Sequence, residues 1–316
     1  MKILFIAPKY EGGIGGHAFR VAEKLRELGH DVKLMHTSHL PIKKLKNPSF
    51  AVLSSIKAIL DTGKYDIVHA FNLPSAFAMK KINAKKKVLS IHGVYSEQVN
   101  ALHSHATAKA ASVTESKVLK WADALTTDSE MVKNIYKRKL GVNFEFMYAP
   151  LDIEKFKNLR NIEKKDGQIV YIGRDSFEKG IDILKKIEPK IKGNVVYCTD
   201  LKWEKAMEKL KESQILIIPS RMESIPQVIK EAFYLKIPVI AFDVGGIPEL
   251  VKDGINGKLI SPENEEELLE QINILLNDKQ QIQKMGENGH DFIVKNLTWE
   301  SLLPKYEEFY ENLLKN

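Results

Sequence analysis

Four consecutive aliphatic residues, Ile215-Leu216-Ile217-Ile218, run up to Pro219-Ser220 and leave no polar side chain to face water. A strand of this kind must be covered on both faces, as in a parallel sheet flanked by helices. Pro226 then stands where the first helical position is expected, since its missing N–H costs nothing there. Val228, Ile229, Ala232, Phe233 and Leu235 give the ensuing helix one apolar side. The same unit opens the chain: Ile3-Leu4-Phe5-Ile6-Ala7 precedes a helix carrying Ala18, Val21, Ala22, Leu25 and Leu28, ended by Gly29-His30. Further strands end at Asp66-Ile67-Val68-His69, Val88-Leu89-Ser90-Ile91-His92-Gly93 and Pro238-Val239-Ile240-Ala241-Phe242. Strands alternating with helices over 316 residues, about twice a common domain length, predict two doubly wound α/β domains. The boundary is expected between Tyr148 and Asp152, giving domains of 1–149 and 150–297. A final amphipathic helix over 298–316 carries Leu302, Leu303, Tyr306, Phe309, Tyr310 and Leu313.

Two carboxylates stand beyond the apolar strand. Glu223 falls in the loop above it, and Glu231 about two turns further on, inside the helix. A carboxylate accepts hydrogen bonds from two neighbouring hydroxyls, the geometry offered by a ribose diol or a hexose edge. Between the acids, the free N–H groups of the helix start suit a phosphate. The strand ending at Phe242 leads to Gly245-Gly246, where absent side chains let backbone N–H groups approach an anion, and Pro248 opens another helix. Taken singly, these are a solvated loop acid, an exposed helix acid and a plain turn. Taken in order, they read as a nucleotide-sugar pocket.

The stretch from Ser220 to Glu231, with Gly245-Gly246-Ile247-Pro248-Glu249, resembles the donor-binding signature of the retaining glycosyltransferases of family 4. In that family two acids are separated by seven residues, as Glu223 and Glu231 are here. The resemblance implies the GT-B fold, two Rossmann-like doubly wound parallel-sheet domains facing across a cleft. It implies that Glu231 binds the nucleotide ribose, that Glu223 contacts the donor sugar, and that the backbone around Ser224, Ile225, Pro226, Gly245 and Gly246 contacts phosphate. Tyr171 to Asp182 resembles the family's element that supplies an Arg and a Lys to the donor diphosphate, here Arg174 and Lys179 after Gly173. A bidentate guanidinium and a mobile ammonium suit a departing diphosphate. Gly12-Gly13 is similar to the family's N-terminal glycine pair, a loop closing over the diphosphate, with Gly15-Gly16 an extra pair. His92 resembles the family's cleft histidine, whereas His69 matches a position that is more often structural. Glu223, His92, Arg174 and Lys179 are thus the implied catalytic set. Ala122 to Ser129 resembles the last strand of the first domain, and the final helix is implied to cross back onto that domain. The chain departs from the family at Ala149-Pro150-Leu151-Asp152, where many members have Asn-Gly-Val-Asp.

The implied activity is retaining, metal-independent transfer of a hexose from a nucleoside-diphosphate sugar, with UDP-sugar or GDP-sugar as donor and no cofactor. The acceptor is the hydroxyl of a glycan or lipid-linked molecule. A sugar-nucleotide epimerase of similar fold and a non-catalytic sugar-nucleotide-binding partner are the alternatives. The glycine loop lacks the G-x-G-x-x-G order, which argues against a dehydrogenase. There is no Asp-x-Asp triplet, and His103-Ser104-His105 has no acid cluster beside it, so no metal site is expected. The single cysteine, Cys198, excludes an internal disulfide and suits packing. No apolar run reaches the roughly 20 residues of a membrane-spanning helix, so a cytoplasmic protein is expected. Residues 1–150 hold 23 Lys and Arg against 12 Asp and Glu, a net +11, and the remaining 166 residues carry −4. Lys43, Lys44 and Lys46, Lys80 and Lys81, and Lys85 to Lys87 form short basic runs. This asymmetry suggests an anionic acceptor or docking on anionic lipid heads at the inner face of the cell membrane. No nucleic-acid module or interleaving of aromatic and basic residues accompanies it.

Overall fold

The computed structural model describes residues 1–9, 13–40, 46–94 and 105–315, with only the backbone of 105–111. Gly12, Lys43, Lys44 and His103 lie outside the described residues, and of His105 only the backbone is described. The chain divides into two compact units, residues 1–149 with 303–316, and residues 150–302.

The first unit contains strands β1 (Lys2–Pro8), β2 (Asp31–Thr37), β3 (Lys64–Ala70), β4 (Asn83–Ser90), β5 (Ala124–Thr127) and β6 (Glu145–Phe146). Its helices are α1 (Gly13–Glu27), α2 (Lys46–Leu60), α3 (Ala76–Met79), α4 (His105–Leu119) and α5 (Glu130–Leu140). The sheet order is β2-β1-β3-β4-β5-β6, with every pair parallel. Ile3 to Ala7 of β1 are wholly buried, because helices cover both faces of a central parallel strand. Helix α5 is bounded as its sequence demands: Ser129 Oγ accepts from the Val132 N–H, and Gly141 closes it at φ +64°. Two expectations need correction. The strand Ala124–Thr127 is not the last of this sheet, since Glu145–Phe146 pairs with it; a two-residue edge strand carries too short an alternation to stand out in sequence. Gly15-Gly16 does not extend a glycine loop: α1 begins at Gly13, and both residues are buried within it.

The second unit contains β7 (Gln168–Ile172), α6 (Ile181–Ile187), β8 (Asn194–Cys198), α7 (Trp203–Glu212), β9 (Ile215–Ile218), α8 (Gln227–Tyr234), β10 (Val239–Phe242), α9 (Ile247–Leu250), β11 (Gly257–Ile260), α10 (Glu265–Leu276) and α11 (Lys279–Asn296). Its parallel sheet is ordered β11-β10-β9-β7-β8. Strand β9 is buried along its whole length, each aliphatic side chain contributing on the order of 1.5–3 kcal/mol. Cys198 ends β8 buried, and burial pushes its thiol up to about 11, so it packs as a small apolar group.

The last helix, α12 (Trp299–Lys315), belongs to the first unit from Leu303 onward. There the Tyr306 hydroxyl donates to the Tyr148 carbonyl at 2.9 Å, and the Tyr310 hydroxyl meets His69 Nδ1 at 2.7 Å. Among the described residues no helix is long and apolar enough to cross a membrane.

Candidate active site

Strand β7 follows β6 in the chain yet lies inside its sheet, with β8 on one side and β9 on the other. The chain leaves β7 toward β8 on one side and leaves its neighbour β9 toward β10 on the other, and the crevice beyond the strand ends at such a reversal is where open α/β sheets receive ligands. Gly173, Arg174 and Lys179 leave the end of β7, and Ser220, Glu223 and Ser224 leave the end of β9.

A close backbone approach brings these loops together. Gly180 has φ +66°, and a Cβ there would stand 1.7 Å from the Pro219 carbonyl oxygen. Only glycine permits both this conformation and this contact. Arg221 then clamps the β7 loop. Its backbone N–H donates to the Glu178 carbonyl, its guanidinium donates to the Phe177 carbonyl at 2.7 Å, and it grips both oxygens of Asp182 at 2.8 Å. It also bonds Glu263 at 2.9 Å and stacks over the Phe177 ring at 3.8 Å. The fork holds the Asp182 carboxyl below its usual range, and Asp182 in turn raises the Arg221 value.

At the meeting point, Lys179 Nζ donates to Glu223 Oε1 at 2.6 Å, and Ser220 Oγ donates to the same oxygen at 2.9 Å. The two side chains are 22% and 10% exposed, so the pair is largely withdrawn from water. Arg174 is 73% exposed and reaches Glu178 at 3.2 Å rather than Glu223. Tyr171 links these neighbours: its hydroxyl donates to the Arg174 carbonyl at 2.8 Å. Burial first, then the charges of Asp175 and Glu223, hold the phenol well above its ordinary range. Gly173 sits over that phenol, where a Cβ would come 3.0 Å from the hydroxyl.

The β10 loop closes on the same backbone. Gly245 has φ +59°, and a Cβ there would stand 1.9 Å from the Glu223 carbonyl oxygen; one on Gly246 would stand 2.1 Å from that of Ser224. Ile225 is buried against Gly246, and Ser224 Oγ is buried with no hydrogen-bond partner among the described residues. The glycine pair thus first meets the need of the protein's own loops to pass in contact. Pro226 is corrected by one position: it caps α8 in an extended conformation (ψ 119°), and Gln227 is the first helical residue. Glu231 lies in α8, half-buried, and accepts a hydrogen bond from Trp203 Nε1 at 2.8 Å. Trp203 is fixed by an edge-on contact with Phe156.

In the first unit, His92 lies just past the end of β4 and lines a cavity of about 150 Å³ with Ile14, Asn72, Leu73 and Gly93. Its Nδ1 is 3.2 Å from Asp128 Oδ1, His17 packs edge-on against it at 6.0 Å, and its Nε2 is buried without a hydrogen-bond partner among the described residues. Gly13 starts α1 at φ +55° with open space where a Cβ would lie. His69 is wholly enclosed: Ser90 Oγ bonds its Nε2 at 2.6 Å, Phe71 stacks on it at 4.2 Å, and burial holds it well below its ordinary value. It is a structural residue. Sequence reasoning missed Ser220, Arg221, Trp203 and Asp128 as partners, since none has a spacing that pairs it with its acid or imidazole.

Residues 188–292 match the family model "Glycosyl transferases group 1", and residues 11–155 match "Glycosyltransferase Family 4". A relative from Methanocaldococcus jannaschii, described as an uncharacterized glycosyltransferase, is 23% identical over 98% of this chain and 98% of its own. Among solved structures, the sucrose-phosphate synthase of Thermosynechococcus elongatus superposes with a TM-score of 0.81 at 17% identity, covering 99% of both chains. HepE of Anabaena, solved in complex with UDP-glucose, superposes with a TM-score of 0.73 at 17% identity, covering 99% of this chain and 100% of its own. At these identities the structural matches establish a shared fold.

Proposed function

Since this chain belongs to the family-4 glycosyltransferases of GT-B fold, we propose that it transfers a hexose, with retention at the anomeric carbon, from a UDP-sugar or GDP-sugar to an acceptor hydroxyl. The Lys179–Glu223–Ser220 constellation carries this reading. An ammonium has three N–H donors, so Lys179 holds Glu223 with one and offers the others to a diphosphate oxygen. Glu223 has one oxygen committed to Lys179 and Ser220, which makes it an anchored acceptor for sugar hydroxyls and not a free nucleophile. Glu231, oriented by Trp203, accepts from the ribose diol. The backbone from Ser224 to Pro226 and at Gly245-Gly246 meets the phosphates.

The bond between the anomeric carbon and the diphosphate oxygen breaks as the acceptor oxygen bonds that carbon; the electron pair leaves with the diphosphate, which takes up the acceptor's proton. Lys179 and the exposed guanidinium of Arg174 offset the charge that develops. Catalysis is chiefly orientation and electrostatic preorganisation, with no metal or other cofactor required. The UDP-glucose bound by HepE favours UDP as the first nucleotide to try. The first unit receives a glycan or lipid-linked acceptor beside His92, and its basic excess suits work at the inner face of the cell membrane, in the cytoplasm.

The test is thermal stabilisation by UDP, GDP, ADP and dTDP, with and without EDTA. A nucleotide at 100 times its dissociation constant adds about 2.7 kcal/mol. A selective, EDTA-resistant shift that disappears in Glu231→Ala is the expected result. No shift with any of the four would refute a nucleotide donor of this set.

A further inference from the structure

Helix α2 is packed inside out. The residues it turns inward are Phe50, Ser54 and Ala58, two of them small, while Val52, Leu53, Ile56, Ile59 and Leu60 are exposed. At 100° per residue these five fall within an arc of about 120°, opposite the buried side. Ile59 and Leu60 are 65% and 75% exposed. Single exposed aliphatics are ordinary on a protein surface, but five within nine residues on one face form a patch that water disfavours. Beside it runs a groove of about 530 Å³, lined by Val52, Ile56 and Ile59 of α2 and by Leu73, Pro74 and Phe77. Asn47, Leu73 and Pro74 also line the His92 cavity, so the groove and the cavity adjoin.

Charge decides what covers this face. On the same 100° spacing Lys46 and Lys57 fall at one margin of the apolar arc, the arrangement of a helix that lies in a membrane interface with its lysines at headgroup level. A second copy of the chain would bring like-charged regions together, each with the +11 excess of residues 1–150. We propose that α2 lies on an anionic membrane leaflet and that its groove seats the hydrocarbon chain of a lipid-linked acceptor whose polar end reaches the His92 cavity. The assignment of that polar end rests on the transferase reading above; the lipid-docking face does not.

Trp121 provides a reporter, because it packs edge-on against Phe77 of the groove at 5.3 Å. The experiment is co-sedimentation with vesicles of phosphatidylcholine with and without phosphatidylglycerol, together with quenching of tryptophan fluorescence by brominated acyl chains. Binding is expected only with phosphatidylglycerol, weakened by salt, with quenching that is lost in Trp121→Phe. The double variant Ile56→Glu, Ile59→Glu should lower vesicle binding at least ~tenfold, while Ile56→Leu, Ile59→Leu retains it. Both pairs change exposed side chains, so melting temperature and the nucleotide-induced shift should stay as in the parent. That shift failing in the parent would sink the donor reading alone. Absence of vesicle binding, binding insensitive to the glutamates, or binding without quenching of Trp121 would overturn the docking face. A concentration-dependent dimer dispersed by the glutamates would overturn it in favour of a second copy.

Discussion

Lys179 Nζ and Glu223 Oε1 meet at 2.6 Å although 44 residues separate them in the chain. The contact exists because Gly180 lets the β7 loop touch Pro219 and because Arg221 clamps that loop to the one after β9. Glu223→Gln keeps the shape and removes the charge. Transfer to any accepted acceptor should fall on the order of 100-fold, the scale for losing one preorganised electrostatic group. Melting temperature should fall only modestly, because Ser220 and Lys179 keep an amide oxygen to donate to while Lys179 loses its counter-charge. Full activity in this variant, measured as nucleotide release, would remove Glu223 from the mechanism.

Trp203 donates to Glu231 at 2.8 Å, and this bond aims the carboxylate proposed to read ribose. A hydrogen bond to a charged group contributes about 1.5–3 kcal/mol. Trp203→Phe keeps the contact with Phe156 while deleting the donor, so nucleotide affinity should fall about 10- to 100-fold by titration calorimetry. An unchanged dissociation constant would show that Glu231 needs no second residue to orient it.

Gly245 and Gly254 both have positive φ, +59° and +71°, but only Gly245 has backbone where its Cβ would go. Gly254→Ala should cost the conformational penalty alone, about 1–2 kcal/mol. Gly245→Ala should cost clearly more and also weaken nucleotide binding, since the Glu223 carbonyl must move aside. Urea midpoints of the two variants provide the comparison, and equal losses would mean the β10 loop yields freely.

His69 titrates below its ordinary value of 6.5 because it is wholly buried, with the charges of His17 and His92 adding to the effect. The unfolded chain therefore binds more protons than the folded one below about pH 6.5. Stability is full above that pH and falls as pH drops toward the lowered folded value. His36 is also lowered, by burial and by Lys9 and Lys57, and adds in the same direction. Carboxylates such as Asp61 and Asp66, held below their usual range, act only in more acid solution. His69→Gln should lower stability at neutral pH and flatten its dependence between about pH 6.5 and 5. A slope identical to the parent's in urea unfolding at those pH values would assign it to His36 instead.

Much of the candidate site in the second unit was legible from sequence because it follows local rules. The unbroken apolar run at Ile215–Ile218 requires a strand covered on both faces, and Glu223 and Glu231 take their loop and helix positions from chain spacing alone. Gly245-Gly246 marked a close approach, although what approaches is the carbonyl backbone of Glu223 and Ser224. The inverted face of α2 was not read, because a run such as Val52, Leu53, Ile56, Ile59 and Leu60 looks like the buried side of any amphipathic helix.

The sequence by itself determined the alternation of strands and helices, the two-domain α/β class and the acid spacing that marks the family, all of which depend on periodicity and near neighbours along the chain. Tertiary structure alone decided that Lys179 pairs with Glu223, that Trp203 aims Glu231, that Asp128 stands beside His92 and that α2 packs its small residues inward. These are contacts between segments brought together by strand order, and strand order is set by how helices cover a sheet, which no local window of residues encodes.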